Sequence, residues 1–197
     1  FDNGACISAW INPNSDGESN NGAIIQKGTD WAFRMIDTDD IEYLHGFTNA
    51  DGKWKTTGND ITLNTWNHVV TCYTSSGASP DATFFVNGVS KTATESSTPN
   101  GSPTGVSSDI YIGNRAQNDY TFDGEIDELV FYDKILTSTE VSALYNGGSG
   151  TATPDTNGMV VHYNFEQTGS LENQIVIPPT NTKLLGLNDA IFNVGSD

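Results

Sequence analysis

Apolar residues recur along this chain in short alternating runs, and clusters of Asn, Asp, Gly, Ser and Pro punctuate them. Alternation at a period of two marks strands with one buried face, whereas a helix would repeat at about 3.6 residues. The pattern predicts strands at Cys6–Ile11, Ala23–Gln26, Trp31–Ile36, Ile41–Phe47, Lys53–Thr57, His68–Thr74, Ala82–Val86, Ile110–Ile112, Glu125–Tyr132 and Val160–Phe165. One segment reads as a helix, Ser138–Leu144. Thr137 can cap it, Glu140 can close the capping box, and Asn146-Gly147-Gly148 stops it. Val86-Asn87-Gly88-Val89 is a strand entering a tight turn, for which Asn-Gly supplies positive φ. Many short strands with turn punctuation and one helix predict an all-β sandwich.

Two stretches depart from this rhythm. Residues 95–108 form a long polar loop that could not be buried. It holds a possible glycosylation site, Asn100 of Asn100-Gly101-Ser102, although sequons also arise by chance. Residues 147–157, GGSGTATPDTN, have linker composition and separate a sandwich at 1–146 from a strand-bearing tail at 158–197. In that tail Val160–Phe165 and Ala190–Val194 are strand-like, and the final run continues in pattern into Phe1-Asp2-Asn3-Gly4, which opens in mid-turn. Read as a circle, the tail supplies a strand that the front lacks. The donor could be the same chain folded back, a preceding tandem repeat or a neighbouring subunit in a fibre.

At 197 residues the chain is long enough for one sizeable β domain plus an extension. Its 8 Lys and Arg against 25 Asp and Glu leave a net charge of −17, which excludes nucleic acid and anionic membrane as natural partners and favours cations. An acidic, Lys-poor surface suits an extracellular or high-salt protein, and equally serves solubility alone. Cys6 and Cys72 match no metal or redox spacing. They are a possible disulfide, and two buried free thiols are an equally ordinary reading. No stretch approaches the ~18 apolar residues of a membrane span, and no signal peptide opens the chain, so a leader would lie upstream.

Trp10, Trp66, Phe84, Val86, Ile126, Val130 and Tyr132 alternate inward along their strands and are expected in the core. Trp31 and Trp54, flanked by Asp30 and by Lys53 and Lys55, are the candidate exposed aromatics for ligand binding. His45, His68 and His162 are dispersed, and neither a nucleophile elbow, a zinc-protease helix nor a phosphate loop occurs. Residues 14–22 and 37–42 are oxygen-rich loops without the EF-hand spacing. In the second, Asp37, Asp39 and Asp40 crowd three charges that a cation would relieve.

A series of motifs then carries a family resemblance: Ile7-Ser8-Ala9-Trp10-Ile11-Asn12-Pro13, Ile24-Ile25-Gln26-Lys27-Gly28, Asn64-Thr65-Trp66-Asn67-His68-Val69-Val70, Ala82-Thr83-Phe84-Phe85-Val86-Asn87-Gly88, Ile112-Gly113-Asn114, Phe122 through Tyr132, and the helix ending Leu144-Tyr145. Together, over residues 5–146, they resemble the laminin-G-like jelly roll of the concanavalin A-like lectin/glucanase superfamily. The family's opening strand is not found ahead of Phe1; Met159–Glu166 resembles it, and Asn188–Asp197 resembles the next. The superfamily's retaining glucanases carry paired carboxylates on one strand, and Glu125-Ile126-Asp127-Glu128 is similar to that strand. A retaining glycosidase needs two carboxyls about 5 Å apart. Here Leu129, Phe131 and Tyr132 follow instead, so no catalytic pair is expected. The resemblance further implies a calcium held by Asp127 with Asn164, Glu166 and backbone carbonyls.

Two function classes follow. The first is a non-enzymatic extracellular or cell-surface module, a repeat or subunit of an adhesive fibre joined to itself head-to-tail by strand complementation and stabilised by calcium. The alternative is a carbohydrate-binding module of a secreted lectin or polysaccharide-active enzyme.

Overall fold

The computed structural model describes residues 4–37, 39–74, 81–105, 107–166, 175–176 and 192–194. The strands are β1 (Ala5–Pro13), β2 (Ala23–Lys27), β3 (Trp31–Ile36), β4 (Asp40–His45), β5 (Gly52–Thr56), β6 (Asn67–Tyr73), β7 (Thr83–Val86), β8 (Val89–Lys91), β9 (Ala93–Ser97), β10 (Ile110–Ile112), β11 (Gly124–Tyr132), β12 (Met159–Tyr163), β13 (Ile175–Val176) and β14 (Phe192–Val194), with helix α1 at Ser138–Tyr145. They form two sheets, ordered β13-β12-β11-β1-β6-β7-β8 and β14-β10-β2-β3-β4-β5-β9. β14 joins β10 in parallel, and β2 joins it antiparallel. The chain divides into two compact units, one built largely on each sheet.

In the first unit β1 pairs with β6, placing Cys6 opposite Cys72 and Trp10 opposite His68. Cys6 and Cys72 are joined as a disulfide across this pair. One face of the sheet is covered by α1, whose Val141 and Leu144, three residues apart, meet Cys6, Val70, Cys72, Val130, Tyr132 and Met159. The Thr137 hydroxyl accepts the Glu140 N–H at 3.3 Å, and the Glu140 carboxylate accepts the Thr137 N–H at 2.7 Å. Lys134, and then the Thr137 N–H and hydroxyl, hold the Glu140 carboxyl down to about 2. The Asn87-Gly88 turn, with φ of 51° and 76°, closes the β7–β8 hairpin.

β12 pairs antiparallel with β11 of the same chain, with Leu129 opposite Tyr163 and Phe131 opposite Val161. The edge expected to await a neighbouring copy is therefore filled from within. Residues 147–157, expected as a linker, begin in turns: the Gly150 N–H donates to the Tyr145 carbonyl at 3.2 Å, and the Asn146 amide donates to the Gly150 carbonyl at 2.8 Å. Pro154, within the same stretch, is buried.

In the second unit the aromatic expectations reverse. Trp31 and Trp54 are 6% and 1% exposed, so neither can stack on a ligand. Trp54 lies opposite Tyr43, which lies opposite Phe33, so the three share one face across β5, β4 and β3. Lys53 and Lys55 flank Trp54, and alternation carries them to the other face. Trp66, expected in the core, is 44% exposed because β6 starts one residue later. Trp10 and Ile126 are half-buried, while Phe84, Val86, Val130 and Tyr132 are buried. β9 takes residues 95–97 from the expected polar loop and pairs with β5. Its Thr94, Glu95 and Ser96 are exposed, and a polar edge strand leaves no hydrophobic alternation to read.

Candidate functional site

β10 reads Ile110-Tyr111-Ile112, and alternation buries the two isoleucines while turning Tyr111 to the other face. Gln26 of β2 lies directly opposite Tyr111 and shares that face. Gln26 and Tyr111 line a cleft of about 490 Å³ together with Gly28, Thr29, Ser107, Ser108, Asp109, Arg115, Ala116 and Gln117. That volume lies within the range of small-ligand sites, roughly 300–1,000 Å³.

The loop after β10 is braced to hold Arg115. The Asn114 side-chain oxygen accepts the N–H groups of Arg115 at 2.8 Å and Tyr120 at 3.3 Å, and its amide donates to the Thr121 hydroxyl at 3.0 Å. Gly113, at φ 76°, provides the turn. The Arg115 guanidinium donates through Nη2 to Asp119 at 2.7 Å and lies 3.4 Å from the centre of the Tyr120 ring. Its hydrogen bond to Asp119 raises the guanidinium's pKa further and lowers that of the carboxyl. The Arg34 guanidinium also lies over this ring, 5.5 Å from its centre, while Arg34 Nε donates to buried Glu42 at 2.9 Å.

Gln26 satisfies only one end of its amide. Its Nε2 donates to the Gly28 carbonyl at 2.8 Å, whereas its Oε1 is buried and has no hydrogen-bond partner among the described residues. Leaving a buried acceptor unsatisfied costs about 1–3 kcal/mol.

Of the residues expected at a calcium site, Asp127 and Glu166 lie near enough for the charge of Glu166 to act on Asp127. Asp127 Oδ1 accepts the Glu128 N–H at 2.8 Å, and Asn164 Oδ1 accepts the Glu166 N–H at 3.4 Å. Burial raises the Asp127 pKa, and the Glu128 and Glu166 charges raise it further against the pull of His162. Among the described residues no group of three or more His, Cys, Asp or Glu side chains is gathered to hold a metal. Calcium takes about 6–8 oxygens, so carbonyls and water would have to complete this donor set. In the 37–42 loop Lys55 pairs with Asp37 at 2.9 Å, and Asp40 accepts the Thr56 hydroxyl at 2.7 Å and the Gly58 N–H at 3.2 Å, while burial and the charges of Asp16 and Asp40 raise the Asp39 pKa.

Glu125 accepts the Asn12 amide at 2.9 Å, and Leu129 and Phe131 farther along β11 are buried. Asn100, the candidate glycosylation residue, is exposed, and its side-chain oxygen accepts the Asn49 amide at 2.8 Å. Dispersed in sequence, all three histidines gain partners, His45 through the Tyr43 hydroxyl 3.1 Å from its Nδ1. Ser8 Oγ and His68 Nε2 are 2.9 Å apart, both buried, and His162 pairs with Glu128, which leaves the regular pleat at φ 48°. Trp10, Tyr145, Thr151 and Pro154 flank the first pair.

Residues 2–142 match the family model of the concanavalin A-like lectin/glucanases superfamily, and the chain belongs to that superfamily. Its fold is the jelly-roll β-sandwich with one short helix. Among solved structures, a candidate carbohydrate-binding protein from Bacteroides ovatus aligns with a TM-score of 0.65 at 18% identity, over 89% of this chain and 51% of its own. The chain thus spans about half the length of that protein. The CBM40 module of a Ruminococcus gnavus sialidase, solved with α2,3-sialyllactose, aligns with a TM-score of 0.55 at 13% identity, over 73% of this chain and 83% of its own. The binding domain of botulinum neurotoxin serotype C1 gives 0.51 at 16%, over 73% and 36%. At these identities the likeness speaks to the fold. No curated protein matches the chain in sequence.

Proposed function

We propose that the chain is a non-catalytic carbohydrate-binding module, extracellular or at the cell surface, that takes its glycan in the cleft lined by Gln26, Asp109, Tyr111 and Arg115. The observation that carries this reading is the polar cleft of about 490 Å³ on the face where Tyr111 stands opposite Gln26. Sugars present hydroxyls that donate and accept, and C–H faces that cover an aromatic ring, and a site with a few convergent polar groups and one ring suits both. Two of the proteins sharing the fold are described as carbohydrate-binding. The disulfide agrees with an oxidising compartment. The apolar residues after Asp127 speak against a glycosidase pair. Strand complementation loses its motive, because β12 already completes the edge of β11. Calcium at Asp127, Asn164 and Glu166 belongs to the proposal as a stabilising ion, supported by the mutual repulsion of those carboxylates.

Affinity electrophoresis against a panel of plant and microbial polysaccharides tests the reading. At least one should retard the protein without releasing reducing ends. Tyr111→Ala and Asp109→Ala should each weaken that interaction about tenfold, or about 1.4 kcal/mol, at unchanged melting temperature. Trp66→Ala, which removes the exposed tryptophan, should leave it intact. Retention lost in Trp66→Ala but kept in both cleft variants would move the site elsewhere, and the absence of retention across the panel would refute the module.

A further inference from the structure

We propose that the first unit carries a second and separate binding site, an apolar pocket between α1, the end of β11 and residues 151–155, and that it takes a small organic amine in protonated form. The pocket measures about 350 Å³, at the small end of the range for ligand sites, roughly 300–1,000 Å³. Tyr132, Leu136 and Leu144 form its floor and are almost wholly buried, and Ala143 adds a methyl group from the exposed side of α1. Residues four apart share a helix face, so Thr139 with Ala143 and Glu140 with Leu144 make one wall. Residues 151–155 contribute another, fixed by the buried Pro154 and by the Thr153 N–H, which donates to the Thr151 hydroxyl at 3.3 Å.

Charge selects the occupant. Two carboxylates, Glu140 and Asp155, line the pocket against one ammonium, that of Lys134. Lys134 is already engaged: it donates to Glu140 Oε1, while Glu140 Oε2 accepts the Thr137 N–H at 2.7 Å and the Thr137 hydroxyl at 2.8 Å. Asp155 is exposed and gives only Oδ1 to the chain, accepting the Asn157 N–H at 3.0 Å, so Oδ2 is open to a ligand. Two negative charges against one positive leave a surplus of one negative charge. Its field reaches the floor, where the charges of Asp155 and Glu140 add to burial in raising the Tyr132 pKa. An anion would enter against that field and find the lysine occupied. A neutral apolar ligand would cover the floor and leave Asp155 unanswered. A protonated amine with an alkyl or aryl body does both: it buries the body on Tyr132, Leu136 and Leu144 and donates a charge-assisted hydrogen bond to Asp155.

Titration calorimetry of the whole chain at neutral pH tests this with three probes that share an aryl body and differ in the terminal group: phenethylamine, 2-phenylethanol and 3-phenylpropionate. The amine should bind, the alcohol about fivefold more weakly and the carboxylate not measurably, and added salt should weaken the amine alone. Asp155→Asn keeps the acceptor for the Asn157 N–H and removes the charge. It should weaken the amine about tenfold and leave the alcohol unchanged. Ala143→Phe fills the pocket from the exposed side of α1 and should abolish binding of both. Melting curves confirm that the two variants fold, and each should bind glycan as the unaltered protein does, which separates this site from the cleft of the second unit. Equal affinity for amine and alcohol, or an amine preference that survives Asp155→Asn, overturns the selection by charge. Amine binding that survives Ala143→Phe, or no binding by any probe, overturns the pocket as a site.

Discussion

Two polar neighbourhoods of this molecule invite a functional reading, and they differ in the property that decides between them. In the first unit Ser8 and His68 stand 2.9 Å apart beside Trp10 and Tyr145, side chains that elsewhere perform nucleophilic chemistry. The space they share with Glu128, Thr151 and Pro154 is only about 10 Å³. That is at most about one water. In the second unit the cleft lined by Gln26 and Tyr111 carries no histidine, yet it opens to about 490 Å³. Reactive residue types thus mark the closed neighbourhood, where His68 Nδ1 is itself buried without a partner, and room beside an outward ring marks the open one. Space, rather than the reactivity of side chains, points to the proposed binding site here.

Removing the disulfide should separate the two neighbourhoods most strongly. Cys6 and Cys72 belong to the sheet of β1 and β6, whereas the cleft is lined from β2 and β10 of the other sheet. Cys6→Ala combined with Cys72→Ala should lower unfolding stability by about 2–5 kcal/mol. Below the melting temperature, affinity for a bound glycan should be retained. Denaturant titration and calorimetry read the two effects separately. Lost affinity at intact stability would show that the first unit takes part in that binding.

The next largest effect concerns His68. Burial pushes its pKa down to about 4 from an ordinary 6.5. The unfolded chain therefore takes up a proton that the folded chain refuses, and stability falls as pH drops from 6.5 towards 4. At about 1.4 kcal/mol per unit, the loss attributable to His68 between pH 6.5 and 5 is about 2 kcal/mol. His68→Gln should flatten that part of the profile. A slope unchanged by the substitution would mean that the ring titrates normally and that the neighbourhood is open to water.

Much of this architecture was legible in the chain, and the parts that were not share a cause. Alternation located β1, β3, β6, β10 and β11 to within a residue or two, because each presents apolar residues to a core, and local capping chemistry located α1. The same alternation, read strictly, would have buried Trp54 between Lys53 and Lys55; weighting its charged neighbours instead put it on the surface. Trp66 was misplaced by one residue of strand boundary. Tyr111 between two buried isoleucines was a readable sign of an outward ring. The Gln26 partnership was not readable: residues 26 and 111 meet only through long-range pairing, and which amide atom is left over depends on a carbonyl two residues away. The turn of Glu128 towards His162 likewise follows from a left-handed residue inside β11 that no pattern of side chains announces.

The smallest expected effect tests whether the Asp127 neighbourhood of the first unit takes an ion. Asp127 and Glu166 lie near enough for their charges to raise the Asp127 pKa, and a bound cation would remove that repulsion and add attraction. With only a few side-chain oxygens on offer the site should be weak, and an ion binding only the folded state adds RT ln(1 + [L]/Kd), about 1.4 kcal/mol at a tenfold excess over Kd. Calcium at millimolar concentration should therefore raise the melting temperature by a few degrees over a chelated sample, and magnesium, which demands a tighter octahedral shell, should do less. Asp127→Asn should abolish the calcium increment. It should also raise the stability of the ion-free protein slightly, because removing one of two repelling carboxylates does part of the ion's work. Superimposable melts with calcium and chelator, in a protein that still binds glycan, would leave these carboxylates as a solvated strand end and confine glycan recognition to the cleft of the second unit.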